Sequence, residues 1–264
     1  MYKLIASDMD GTLLSSERTI SERTIKAIRE LKAKGVKFVL CTGRALPAIK
    51  KYQDILKIME PVILCNGAEA FDVANNKVIF QKTIDFESAK CIWEEGVKRN
   101  TEIYFWAGNE LYTNFLNDKI YDYTDDHHTE FKKLTDFDTV KDKKFLKFIW
   151  DDTPENISRY KKEMDEMGLC DKVNYCTSMA VYLEFFNKET DKGAAIKELQ
   201  KFYNIKREEV IAIGDGNNDI EMIKYAGLGV AMGNAADSIK NIADYVTSTN
   251  DEDGVYEVIN KFVM

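Results

Sequence analysis

The sequence predicts an α/β fold in which a parallel sheet, covered by helices on both faces, is interrupted by an α+β insertion. Three observations carry this expectation. Short apolar runs alternate with amphipathic helical stretches at both ends of the chain, those runs are apolar nearly throughout, and the pattern changes character between about residues 83 and 187. Strands without polar alternation are buried on both faces, as a parallel sheet flanked by helices requires.

The N-terminal elements follow in order. Lys3-Leu4-Ile5-Ala6-Ser7 is an apolar strand that stops abruptly at Asp-Met-Asp-Gly-Thr. Thr19 and Glu22 have the spacing of a capping box, and Ile25, Ile28 and Leu31 recur at helical intervals until Gly35 ends the helix. Val36–Cys41 is a second strand, ending at Thr42-Gly43-Arg44, which is expected to open a helix with Pro47 in its first turn. Val62–Cys65 is a third strand, terminated by Asn66-Gly67. The rhythm returns near the C-terminus, with an amphipathic stretch from Ala194 to Tyr203, a strand at Val210–Ile213, the turn Gly214-Asp-Gly-Asn-Asn-Asp219, a helix through Met222 and Ala226, and a strand at Gly229–Met232. Between these halves the strands are expected at Thr101–Trp106, Phe145–Trp150 and Ala180–Phe186, half-buried and alternating, and all three tryptophans lie there. The boundaries expected are 1–82 with 188–264 for the core and 83–187 for the insertion.

Composition narrows the function. The 264 residues are 45% hydrophobic and 31% charged, ordinary for a globular protein. A formal net charge of -8 argues against a nucleic-acid binder, so an anionic ligand must be caught by a few local cations. Five cysteines without a C-x-x-C pair suit a reduced protein, with Cys41 and Cys65 expected as buried thiols. No apolar run approaches the ~20 residues of a membrane helix, and Asp8 and Asp10 interrupt any leader-like stretch. The expectation is a cytoplasmic protein with no membrane or nucleic-acid partner. Its oligomeric state is not encoded legibly.

Ligands of open parallel sheets bind beyond the carboxyl ends of the strands. Four such ends carry polar turns here: Asp8/Asp10, Thr42/Gly43/Arg44, Asn66/Gly67 and Asp215/Asn218/Asp219. An aspartate at a strand end can attack phosphorus and form an acyl phosphate, and a carboxylate two residues on can protonate the leaving oxygen and then activate water. Alone, the Asp-x-Asp stretch equally fits a capped turn. Asp215 adds another carboxylate, and two carboxylates with a backbone carbonyl suit six-coordinate Mg²⁺, which favours Asp8, Asp215 and the Asp10 carbonyl as ligands. The spacing of a calcium loop is absent. Thr42-Gly43 offers a hydroxyl and N–H groups to phosphate oxygens, although the tripeptide alone fits an ordinary helix start. Lys192, in Asp191-Lys192-Gly193 before a helix, offers a point charge, although a lone lysine is usually solvated.

Taken together, these segments resemble the haloacid dehalogenase superfamily of phosphohydrolases. DMDGTLL is similar to its first motif, Thr42 to its second, Lys192-Gly193 to its third and GDGNND to its fourth. CTGR, NGA, DKG and VAMGNA are similar to the Cof-type subfamily, whose members include sugar phosphatases. The resemblance spans both halves of the core. It implies a Rossmann-like parallel-sheet core with an inserted α+β cap domain, and a Mg²⁺-dependent phosphatase of small phosphorylated metabolites, sugar phosphates foremost. It implies Asp8 as nucleophile and Asp10 as general acid/base. Thr42, Gly43, Lys192 and Asn218 would hold the phosphoryl oxygens, Asp8, Asp10 and Asp215 the metal, and Asp219 would orient from behind. Arg44 and Asn66 are candidates for substrate contact.

Other residues give weaker signals. His127-His128 lacks ligand spacing and reads as a solvated loop. Tyr104-Phe105-Trp106 reads as sheet core and Lys141–Lys147 as a solvated face. A dehalogenase would share the nucleophile but has no use for Asp10. A phosphomutase of the same superfamily and a non-catalytic phospho-aspartate signalling protein stay open as alternatives.

Overall fold

The computed structural model describes residues 1–127, 129–167, 173–177 and 179–264. The first elements are β1 (Leu4–Ser7), α1 (Glu22–Leu31), β2 (Lys37–Leu40), α2 (Leu46–Leu56), β3 (Val62–Leu64), β4 (Glu69–Asp72) and β5 (Lys77–Gln81). Helix α1 buries Ile25, Ile28 and Leu31, and Gly35 ends its 3-10 extension with φ 72°. Its cap is not the expected one. Ser21 takes the N-cap position and its hydroxyl accepts from the Thr24 N–H, because Ser21 is the residue in extended conformation directly before the first turn. Helix α2 begins at Leu46, so Thr42-Gly43-Arg44 precedes the helix rather than opening it.

The inserted segment comprises α3 (Phe86–Lys98), β6 (Glu102–Ala107), β7 (Glu110–Thr113), α4 (Asp118–His127), β8 (Phe131–Lys133), β9 (Phe145–Asp151), α5 (Pro154–Met167), β10 (Val173–Cys176) and β11 (Tyr182–Asn187). Its sheet runs β10-β11-β9-β6-β7-β8 and is antiparallel except for the β7–β8 pair. One face buries Phe105, Phe145, Phe148 and Trp150 with Trp93 of α3 and Tyr160 of α5. The other face is not the half-solvated one expected. Tyr104 stacks on Tyr123 of α4 at 4.7 Å, Trp106 donates from Nε1 to the Tyr123 hydroxyl, and every residue of β9 is buried. Tyr104-Phe105-Trp106 is core, as expected. Lys147 departs from the predicted solvated face: it is a β9 residue whose ammonium lies 2.7 Å from the carboxylate of Glu184 on the neighbouring strand. The side chains of His127 and His128 lie outside the described residues.

The chain then returns through α6 (Lys192–Tyr203), β12 (Val210–Gly214), α7 (Ile220–Tyr225), β13 (Leu228–Ala231), α8 (Asp237–Lys240), β14 (Tyr245–Val246) and α9 (Gly254–Phe262). The main sheet has the order β14-β13-β12-β1-β2 and is parallel throughout. Leu4 lies between Val210 and Lys37, and Ser7 between Ile213 and Leu40, which aligns the carboxyl ends of the three central strands. A bridge between Cys41 and Ile63 joins β3 to the edge of β2. Strands β1, β12 and β13 are buried along their whole length, and Leu199 and Met222 from the flanking helices pack in the same cluster as Leu4, Ala6 and Ala212. This is the α/β core with an α+β insertion that the apolar runs predicted. The chain divides into two compact units, residues 1–43 with 50–80 and 191–264, and residues 44–49 with 81–190. No helix among the described residues is long and apolar enough to cross a membrane.

Candidate active site

Asp8 sits where β1 runs out. Its N–H still donates to Ile213 on β12, while the neighbouring Ser7 carbonyl accepts from Cys41 beyond β2, so the backbone is held on both sides. The next strand over, β12, delivers Asp215 one residue past its end. Gly214 is required there, because a Cβ at that position would stand 2.5 Å from the side chain of Asp219. Asp219 is fully buried and commits both oxygens. Oδ2 accepts from the N–H groups of Asp215 and Gly216, and Oδ1 accepts from Lys192.

Lys192 ties these strands together. Asp191 caps α6, which turns Lys192 inward in the first turn of the helix rather than leaving it before the helix. Its side chain is 0% exposed, and Nζ lies 2.6 Å from Asp8 Oδ1 and 2.6 Å from Asp219 Oδ1. Burial alone would pull the ammonium down, but Asp219 and Asp8 outweigh it and hold the group far above its usual value, hence charged. One lysine faces three carboxylates. Burial, with Asp219 and Asp215 adding repulsion against the pull of Lys192, pushes the Asp8 carboxyl well up. Burial also pushes Asp215 up to about 6, against the hydrogen bond it accepts from the Thr12 hydroxyl. Oxygens of Asp8, Asp215 and Asp219 lie within 4.8 Å of one another. The donor set fits a hard dication, which would relieve the excess negative charge. With Asp219 spent on Lys192 and two backbone donors, Asp8 and Asp215 are the side chains that could ligate such an ion.

The second strand end builds a neighbouring group. Thr42 is 1% exposed, its N–H donates to Ile63 and its carbonyl accepts from the Asn66 N–H. That N–H therefore extends the β2–β3 pairing and is not spare, as a helix start would have left it. Cys65 and Asn66 both have positive φ, 49° and 57°, in the left-handed region that non-glycine residues rarely occupy. The turn aims Asn66 Oδ1 at Gly43, where a Cβ would meet it at 2.9 Å, and Asn218 Nδ2 donates to the same oxygen at 3.0 Å. Thr42, Gly43, Asn66 and Asn218 thus form one interlocked set. Asp10 is exposed, bridges to Leu14 and lines a cavity of about 450 Å³ with Gly11 and Asn234. Arg44 is half-buried and falls in the second compact unit. Cys41 and Cys65 are buried, and burial pushes the Cys41 thiol far up.

The match of residues 5–259 to the family of haloacid dehalogenase-like hydrolases accounts for this arrangement. The chain belongs to that family. It is 36% identical to the 5-amino-6-(5-phospho-D-ribitylamino)uracil phosphatase YcsE of Bacillus subtilis, over 99% of this chain and 96% of that one. A haloacid dehalogenase-like hydrolase from Bacteroides thetaiotaomicron superposes with a TM-score of 0.90 at 31% identity, covering 99% of both chains. A subclass IIB sugar phosphatase of the same superfamily superposes with a TM-score of 0.85 at 28% identity, covering 98% of both. The chain is accordingly a haloacid dehalogenase-like enzyme of the Cof type, a phosphoric monoester hydrolase. Sequence reasoning gave no role to Thr12, whose hydroxyl donates to Asp215 at 2.7 Å, or to Asn234, whose amide donates to the Gly11 carbonyl. Both lie inside motifs the resemblance used, so their positions, though not their partners, were in view.

Proposed function

We propose that this chain is a Mg²⁺-dependent phosphatase of small phosphorylated metabolites that works through an aspartyl phosphate on Asp8. The observation that carries the reading is Lys192, wholly buried yet 2.6 Å from both Asp8 and Asp219, a fixed cation for a phosphoryl group beside a carboxylate excess that a dication would balance. Asp8 attacks phosphorus as the ester P–O bond breaks, and Asp10 gives its proton to the departing oxygen. In the second half Asp10 takes a proton from water, which attacks the acyl phosphate and frees Asp8. Lys192, the Thr42 hydroxyl, the Gly43 N–H and Asn218 hold the phosphoryl oxygens, while Asp219 keeps Lys192 and the Asp215 turn in place. Asp8, Asp215 and the Asp10 carbonyl hold the Mg²⁺, which supplies charge neutralisation to the phosphoryl group.

Residues 83–187 act as the cap that selects the alcohol, and Arg44 and Asn66 are the candidates for contact with it. The YcsE relative is named for a ribityl phosphate and a structural neighbour for sugar phosphates, so a phosphate ester on a hydroxylated carbon chain is the leading substrate class. A phosphomutase would pass the phosphoryl group to a second hydroxyl rather than to water. Phosphate release from a panel of such esters is expected only with Mg²⁺, and Asp8→Asn is expected to lower it by about 10⁴-fold or more. Metal-independent release, or a fully active Asp8→Asn protein, would overturn the proposal.

A further inference from the structure

The residues following Asp10 are tied down from the far end of the chain. Gly11 has φ +77° and lies so close to Asp215 that a Cβ would sit 2.4 Å from its Oδ2. On its other side, the Gly11 carbonyl accepts from Asn234 Nδ2 at 2.8 Å. Asn234 is itself oriented, because the Asn250 N–H, which can only donate, is 3.1 Å from Asn234 Oδ1. That leaves the Nδ2 donors of Asn234 to face Gly11. Asn250 Nδ2 then donates to the Leu14 carbonyl at 2.9 Å, and Asp251 accepts from the Ser16 N–H and hydroxyl at 2.8 and 2.7 Å. Two turns, one after β13 through Asn234 and one after β14 through Asn250 and Asp251, therefore grip the loop after β1 at Gly11, Leu14 and Ser16. Leu13 and Leu14 are anchored by burial and Thr12 by Asp215, but Asp10 is exposed and Gly11 only half-buried. Between Asp8 and Leu14, Asp10 and Gly11 are the least buried residues.

We propose that Asn234, held by Asn250, is a positioning residue for Asp10: it fixes the Gly11 peptide and so aims the Asp10 carboxyl at the leaving oxygen. This rests on Asp10 being the general acid. In that step the ester P–O bond breaks with its electron pair going to oxygen, the new bond joins phosphorus to Asp8, and the Asp10 proton ends on the departing alcohol. An alkyl leaving group needs that proton, whereas p-nitrophenolate leaves as a stable anion. Misaiming the acid therefore penalises the two substrates unequally, which a general loosening of the fold does not do.

The test compares kcat/KM for an alkyl phosphate and for p-nitrophenyl phosphate in Asn234→Ala, Asn234→Asp and Asn250→Ala, with Asp10→Ala as reference. Asn234→Asp keeps the acceptor for Asn250 but turns a carboxylate on the Gly11 carbonyl, so it should behave like Asn234→Ala although it fills the same space. The expected result is a loss of about tenfold on the alkyl ester and much less on the aryl ester, following the preference of Asp10→Ala. Equal losses on both esters, or none on either, overturn the positioning role if Asp10→Ala does discriminate. Asp10→Ala failing to discriminate overturns the acid assignment itself. If none of the three asparagine variants folds, as judged by circular dichroism, the contacts serve the fold and the proposal falls.

Discussion

Two buried lysines, one in each compact unit, meet carboxylates under opposite charge balances. Lys147 and Glu184 lie on adjacent strands of the inserted sheet, 2.7 Å apart and 7% and 5% exposed. The pair cancels its own charge, which is the condition under which ions are tolerated away from water. Lys192 is equally hidden, but it is shared by Asp8 and Asp219 with Asp215 close by, and burial, reinforced by the surplus negative charge, pushes the carboxyls of Asp8 and Asp215 up. Burial of charge alone does not distinguish a working site from a structural one. An unbalanced buried cluster does more, because its excess negative charge offers a place for a cation.

The comparison breaks most visibly at Lys192. Lys192→Met should lower turnover by about 10²–10³-fold, as initial-rate assays would show. It should also destabilise the fold in urea, with Lys192→Met/Asp8→Asn recovering part of that loss by removing one of the stranded carboxylates. A fully active Lys192→Met protein would separate the lysine from the phosphoryl group.

Lys147→Met should cost about 3–5 kcal/mol by stranding Glu184. The double variant Lys147→Met/Glu184→Leu should recover most of it, since a neutral pair is replaced by packed apolar groups. Urea unfolding of the two single variants and the double variant measures this, and additive losses would contradict it.

The smallest effect concerns pH. The Asp215 carboxyl, raised to about 6 from its ordinary value, keeps a proton in the ion-free fold that the unfolded chain gives up. Its contribution to stability is complete below the unfolded value and is lost as pH rises through about 6. Cation binding works in the opposite direction, because Mg²⁺ must expel that proton. Mg²⁺ should therefore raise the melting temperature more at about pH 7.5 than at about pH 5, with affinity falling up to about tenfold per unit below the transition. A pH-independent shift would remove Asp215 from the ligand set.

Much of this was legible because parallel strands are apolar throughout and stop at polar turns. The runs ending at Asp8, Thr42, Asn66 and Asp215 marked the strands together with the polar residues at their ends. What was not legible depended on partners far away in sequence. Ser21 rather than Thr19 caps α1, a matter of which residue takes the extended conformation. Lys147 sits in a charged stretch and reads as surface until Glu184 is laid beside it by strand pairing. The Lys192 signal was ambiguous for the same reason, since only the fold brings Asp8 and Asp219 to its ammonium. Asn234 and Asn250 act on backbone carbonyls of the first loop, and a carbonyl acceptor leaves no trace in the identity of the residue that carries it.

The most direct test of the account is to find the phosphoryl group on the chain. A single turnover with a reactive phosphomonoester and Mg²⁺, quenched in acid, reduced with borohydride and mapped by mass spectrometry, should convert Asp8 to homoserine. Wild-type protein that releases phosphate while Asp8 stays unmodified, or that carries the modification on another aspartate, would contradict the mechanism.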